Sequence, residues 1–193
     1  MEPIERAADA LTDDYFAGHA LSVARRLLGK YLIIRREESD SALMIHETEA
    51  YIGAHDLACH GRFGVTPRTA VLFGPPGRWY VHFIYGLFWM LNVVTSREGV
   101  GSGVLIRAAG PHRGPGVLTR SLGIDKRFNG QPIAPVTGLW IEDRGGIVRH
   151  SQIIRSPRVG VDYAGEWKDK PYRFRLRSGQ VLRQARDKRA GRG

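Results

Sequence analysis

The run Ser41-Ala42-Leu43-Met44-Ile45 is apolar and gives way to His46-Glu47-Thr48-Glu49-Ala50-Tyr51, which predicts a strand buried at its start and chemically loaded at its end. With pairing carried through Tyr51, successive side chains point to opposite faces. Glu47, Glu49 and Tyr51 then share one face, and His46, Thr48 and Ala50 the other. Upstream, Leu21, Ala24, Leu27 and Leu28 fall on one helical stripe, and Gly29 stands where a helix-ending glycine belongs. Tyr31 to Ile34 reads as a strand and Arg35 to Asp40 as a charged turn, so the strand from Ser41 to Glu49 returns as an antiparallel hairpin.

Residues 53 to 78 are broken by glycines and prolines into a long loop, and long loops in compact domains usually carry function. Arg78 to Val94 is the most aromatic run, with Tyr85-Gly86 at its middle as a predicted hairpin tip. Val104 to Ile106 reads as a strand delivering Arg107, and Gly114 to Leu122 as the start of a short helix. Val136 to Glu142 and Gly146 to His150 look like strand pieces around a turn. Tyr172 to Arg177 alternates apolar with basic residues, which predicts a strand with one face in the core and three arginines on the other. Residues 1 to 14 and those from Arg183 onward read as flexible tails.

Composition changes this picture in two ways. A chain of 193 residues, 42% hydrophobic and 25% charged, fits one globular domain over 1–193 that needs no disulfides. The net charge of +10 is unevenly placed: residues 1 to 49 hold 6 basic against 10 acidic side chains, residues 149 to 193 hold 13 against 4. A positive field in the later chain points to a polyanion such as nucleic acid. The acidic N-terminus does not read as a signal peptide and no run is apolar enough for a membrane helix, so a cytosolic protein is expected, or a nuclear one in a eukaryote.

The candidate chemistry follows from the chain's middle. A partly desolvated carboxylate on the Glu47/Glu49 face suits a general base, with His60 placed to order it or to bind substrate. An aromatic hairpin tip in a basic protein suits a wedge for a base stack. The sequence has no phosphate-binding loop, no serine-nucleophile elbow and no dinucleotide fingerprint. With Cys59 the only cysteine, a zinc base deaminase is excluded. A magnesium nuclease using Glu47, Glu49, Asp56 and His60 stays open.

ETEAY (47–51), His60, TPRT (66–69), GPPG (74–77), YVxxxYG (80–86), Asn92, VLIRA (104–108), GPGxL (114–118) and PRVGVDYAGEW (157–167) occur together and in order. This set resembles the alkyladenine (3-methylpurine) DNA glycosylase family, and the match runs from roughly Tyr15 to Arg177. The resemblance implies an α+β fold, a single domain around a curved antiparallel sheet that inserts a protruding hairpin into the minor groove and flips a damaged purine into a pocket. It implies Glu49 as the base that deprotonates water, with Arg107 and the Val159 carbonyl positioning that water. Tyr51 and His60 would line the base pocket, Asn92 would exclude normal purines, and Tyr85 would fill the vacated stack. No cofactor or metal is implied, and the partner is duplex DNA bound by a monomer. His82 stands where some members carry a second stacking tyrosine. An imidazole titrating near 6.5 would there repel cationic purines as the pH falls. The rival readings are a damage-binding protein without chemistry and the metal-dependent nuclease.

Overall fold

The computed structural model describes residues 9–37 and 39–177. The N-terminal tail predicted for residues 1 to 14 is corrected over its second part. Residues 9 to 14 are pinned by main-chain hydrogen bonds, Leu11 N–H to the Ile141 carbonyl and Asp143 N–H to that of Asp9, and Asp13 opens the short helix α1 (Asp13–Phe16). Residues 1 to 8 and the predicted tail from Arg183 lie outside the described residues.

Helix α2 (Ala20–Leu27) buries Ala20, Val23, Ala24 and Leu27, close to the predicted stripe. Gly29 follows at φ 81°, the left-handed turn that lets the chain reverse into β1 (Tyr31–Ile34). The chain returns as β2 (Ser41–Tyr51), and an aromatic hairpin follows from β3 (Trp79–Ile84) and β4 (Phe88–Thr95). Next come β5 (Ser102–Ala109), a two-residue β6 (His112–Arg113) and α3 (Pro115–Leu122). Helix α3 opens on Pro115 and ends at Gly123 in the left-handed region, an asymmetry set by the missing proline N–H and the missing glycine Cβ. The last strands are β7 (Leu139–Glu142), β8 (Ile153–Ser156) and β9 (Arg173–Leu176).

All pairings are antiparallel and join the nine strands into one sheet, ordered β3-β4-β5-β2-β1-β7, with β9 beside β2 and β8 beside β9. Strand β2 is the axle. Its first residues pair β1, while Glu47 to Glu49 pair β5 on one edge and β9 on the other. A register irregularity at Glu47 interrupts the β5 ladder, and such a bulge bends and twists a strand locally. Helix α2 packs on the Thr48 face, where Thr48 is fully buried and its hydroxyl donates to the Ala24 carbonyl at 2.8 Å. The core lies here, between α2 and side chains such as Phe16, Leu32, Ile45, Leu91, Ile106 and Phe174.

Two further expectations are corrected. Residues 146 to 149 form no strand; the strand lies at Ile153–Ser156, because only there does the backbone meet β9. The strand predicted from Val136 begins at Leu139, since Pro135–Thr137 forms a tight 3-10 turn and Gly138 has φ 77°.

Candidate active site

The opposite face of the sheet carries the polar chemistry. Alternation sends Glu47, Glu49 and Tyr51 of β2 to that face, as the sequence predicts, along with Tyr80 and His82 of β3, Asn92 of β4, and Leu105 and Arg107 of β5. Of these, Tyr51, Tyr80, His82, Asn92, Leu105 and Arg107, with His60 from the 3-10 turn His60–Phe63 and Val159 from the loop after β8, frame a cavity of about 670 Å³. Tyr51, His60, His82, Tyr85, Asn92, Arg107 and Val159 all line it, whereas Glu49 sits behind its wall with no exposed surface.

Glu49 has three partners. Its Oε1 accepts from the Val159 amide at 2.9 Å, its Oε2 accepts from the Tyr51 hydroxyl at 2.9 Å, and Nη1 of Arg107 lies 3.3 Å from Oε1. Burial pushes its pKa above the usual carboxylate range, and Arg107, the Val159 amide and Tyr51 oppose that shift without cancelling it. Glu47 is the counterexample two residues away. Burial pushes it up as well, but bonds from Arg173 Nε at 2.7 Å and Arg107 Nε at 2.8 Å, both to Oε1, hold it below the ordinary value. Two carboxylates on one strand face thus have separated proton affinities, the usual mark of an acid/base site.

The opposite wall is built of aromatic rings, with Arg68 beside them. His60 Nδ1 is hydrogen-bonded to the Tyr80 hydroxyl at 2.9 Å, and the His60 and His82 rings meet edge to face with centroids 4.5 Å apart. The amide nitrogen of Asn92 donates to the Tyr80 and Met90 carbonyls and lies 3.4 Å from His82 Nδ1. Burial lowers His60 to about 4, with help from Arg68 and Arg62. Burial, then His60 and Arg68, lower His82 to about 3. This corrects the expectation that His82 charges between pH 8 and 6. Both imidazoles stay neutral there, because a buried cation would lose its hydration beside other cations. Cys59 also borders the cavity; it accepts from the Gly61 amide, donates to the Gly101 carbonyl, and burial pushes its thiol up to about 11. A Cβ at Gly61 would collide with the Gly101 carbonyl, so glycine is required for the loop to close on this wall.

The hairpin tip stands at the rim. Tyr85 and Gly86 have φ of 54° and 66°, and the Leu87 amide donates to the Ile84 carbonyl at 3.1 Å, as in a primed turn matching strand twist. Tyr85 is 76% exposed and Leu87 64%, so the tip offers apolar surface to a partner.

Sequence reasoning missed three parts of the site. Arg173 is no free surface charge but the second partner of Glu47, brought there by the β2–β9 pairing of Glu49 with Arg173. Arg158 and Asp56 form a fully buried two-pronged pair at 2.6 and 2.8 Å that ties the Val159 loop to the loop after β2. Tyr80 holds His60. A basic residue beside Val159 was the one available signal. The nuclease reading loses its ligands: Glu47 and Asp56 are bound to guanidinium groups and His60 to Tyr80, and no cluster of three or more metal-binding side chains exists among the described residues.

Comparison with known proteins settles the family. The profile described as methylpurine-DNA glycosylase matches residues 14–113 and 110–180. The chain belongs to the methylpurine-DNA glycosylase family. Members of this family are base-excision repair hydrolases of the N-glycosyl bond. Among curated relatives, a Myxococcus xanthus protein is 43% identical over 180 residues, covering 88% of this chain and 91% of the relative. One from Legionella pneumophila strain Lens is 42% identical over 175 residues (87% and 94%), and one from Anaeromyxobacter dehalogenans strain 2CP-1 is 45% identical over 175 (86% and 82%). All three are provisionally named 3-methyladenine DNA glycosylase. The α+β architecture expected of the family is the one found, and no helix among the described residues is long and apolar enough to cross a membrane.

Proposed function

We propose that this glycosylase excises alkylated and deaminated purines, 3-methyladenine first among them, from duplex DNA by flipping the nucleotide into the cavity and hydrolysing its glycosidic bond with a Glu49-activated water. The observation that carries the reading is a carboxylate without exposed surface behind a cavity of about 670 Å³, its proton affinity raised by burial. As the carboxylate such a group offsets the positive charge that develops at C1′ while the bond electrons leave with the purine, and it takes the proton of the water whose oxygen then bonds to C1′. Arg107 and the Val159 carbonyl position that water. The amide of the same Val159 fixes one oxygen of Glu49, so a single residue orders both base and nucleophile.

Tyr51, His60 and His82 supply ring faces and edges for the flipped base. With both imidazoles neutral, neither ring repels a cationic 3-methylpurine, and π faces attract such a cation. Asn92 screens out normal purines. Tyr85, already held outward, takes the vacated place in the stack and offsets part of the few kcal/mol that flipping costs. The enzyme works as a monomer, in the cytoplasm or, in a eukaryote, the nucleus, without metal or cofactor.

The test is base release in single turnover from duplexes carrying 3-methyladenine or hypoxanthine, with EDTA present. Wild-type protein releases the base and leaves an abasic site; Glu49→Gln binds the duplex but is about 10²- to 10⁴-fold slower. Binding without release by the wild type means a damage-binding protein, and strand cleavage abolished by EDTA means a nuclease.

A further inference from the structure

Glu47 has no part in the chemistry proposed above, yet two short charge-assisted bonds hold it in the site. Its Oε1 takes Nε of Arg107 at 2.8 Å and Nε of Arg173 at 2.7 Å. The first bond fixes the direction of the Arg107 guanidinium. Nη1 comes to 3.3 Å from Glu49 Oε1, within ion-pair distance, while the well-directed short bond goes to Glu47.

We propose that Glu47 is a positioning residue for the reaction: by binding both guanidiniums on one oxygen it keeps them from closing on Glu49 and leaves that carboxylate basic. This rests on the reading of Glu49 as the general base. The charges around Glu49 support it from every side. On β2 itself stand Glu47 and the Tyr51 phenol, which burial keeps protonated. From β5 and β9 come Arg107 and Arg173, and the loop after β8 brings the Val159 amide and Arg158, whose charge is matched by Asp56. The rings of His60 and His82 across the cavity are neutral. The balance near Glu49 is therefore set by two cations and one neighbouring anion. Without Glu47, two guanidiniums face a single carboxylate, which then holds its negative charge too tightly to accept a proton from water.

The test compares the acidic limb of the single-turnover excision profile, on a hypoxanthine duplex, for wild type, Glu47→Gln, Glu47→Asp, Arg173→Gln and Glu49→Gln, each checked by thermal melting. In Glu47→Gln the limb moves to lower pH by about one unit and the plateau falls about tenfold, and Glu47→Asp restores the limb position. Arg173→Gln removes a cation and moves the limb the other way. A merely structural Glu47 lowers the plateau and the melting temperature but leaves the limb in place, and that result overturns the proposal. So do shifts of equal sign in Glu47→Gln and Arg173→Gln. If Glu47→Gln does not fold, the Arg173→Gln limb decides alone: upward supports, unmoved or downward overturns. Wild-type rates in Glu49→Gln would instead remove the general-base reading itself. An inactive Glu49→Gln beside an unmoved Glu47→Gln limb removes only this inference.

Discussion

Asp56 and Glu49 are both carboxylates with no exposed surface, both near a guanidinium, and both on the loop side of the same sheet, yet they are built for opposite ends. Asp56 meets Arg158 with both oxygens and also accepts the Ile52 and Ala58 amides. Arg158 in turn donates to the Ala50 and Trp167 carbonyls and lies against the Tyr51 and Tyr172 rings. Each oxygen of the carboxylate thus accepts from one amide and one guanidinium nitrogen. Glu49 has an amide, a phenol and a guanidinium whose best bond goes elsewhere, and burial raises its proton affinity more than these partners lower it. The two buried acids therefore differ in how completely a guanidinium engages them: Asp56 holds Arg158 with both oxygens, whereas Arg107 gives its short bond to Glu47 and only approaches Glu49.

The comparison can be broken most severely on the Asp56 side. Asp56→Asn leaves the Arg158 charge buried without its counter-ion, and urea unfolding should show about 3–5 kcal/mol lost. A loss under 1 kcal/mol would mean that the pair is not the anchor of the Val159 loop.

A smaller effect comes from the cavity's other wall. His60 and His82 titrate near 4 and 3 in the folded protein but near 6.5 when unfolded, so below pH 6.5 the unfolded state binds protons that the folded state refuses. Their contribution is intact above pH 6.5 and drains away as the pH falls through 4 towards 3. The melting temperature should drop through that window and drop less in His82→Phe; equal slopes would mean that His82 is charged in the fold.

Smallest is the effect of Glu49→Gln on stability, and its sign is the informative part. A carboxyl held above its ordinary range favours its neutral form when folded, so ionised Glu49 weakens the fold at neutral pH. The amide should raise the melting temperature at pH 7 by a few degrees while excision is lost. A fall would place Glu49 with Asp56, as a structural charge.

What could be read from the chain divides along physical lines. Local periodicity was enough to put Glu47, Glu49 and Tyr51 on one face, to find the turn at Tyr85-Gly86, and to bring Arg107 in on a strand, because each depends on neighbours a few residues away. Arg158 meeting Asp56 and Arg173 meeting Glu47 depend on loops and an inserted strand from over a hundred residues downstream, and no local pattern encodes such pairing. The strand expected at Gly146 to His150 failed for the same reason: a strand exists where a partner edge is available, and β9 offers its edge to Ile153–Ser156. The charge expected on His82 failed because sequence shows the residue but not the dry wall around it.

Cys59 gains a different meaning from the damage this family deals with. Methylating agents that scar purines react fastest with soft anionic sulfur, and a thiolate beside the cavity would itself be a target. Burial lifts the Cys59 thiol to about 11, so at neutral pH it is almost wholly protonated and a poor nucleophile. Burial thereby shields the one thiol on this wall from the reagents that alkylate purines.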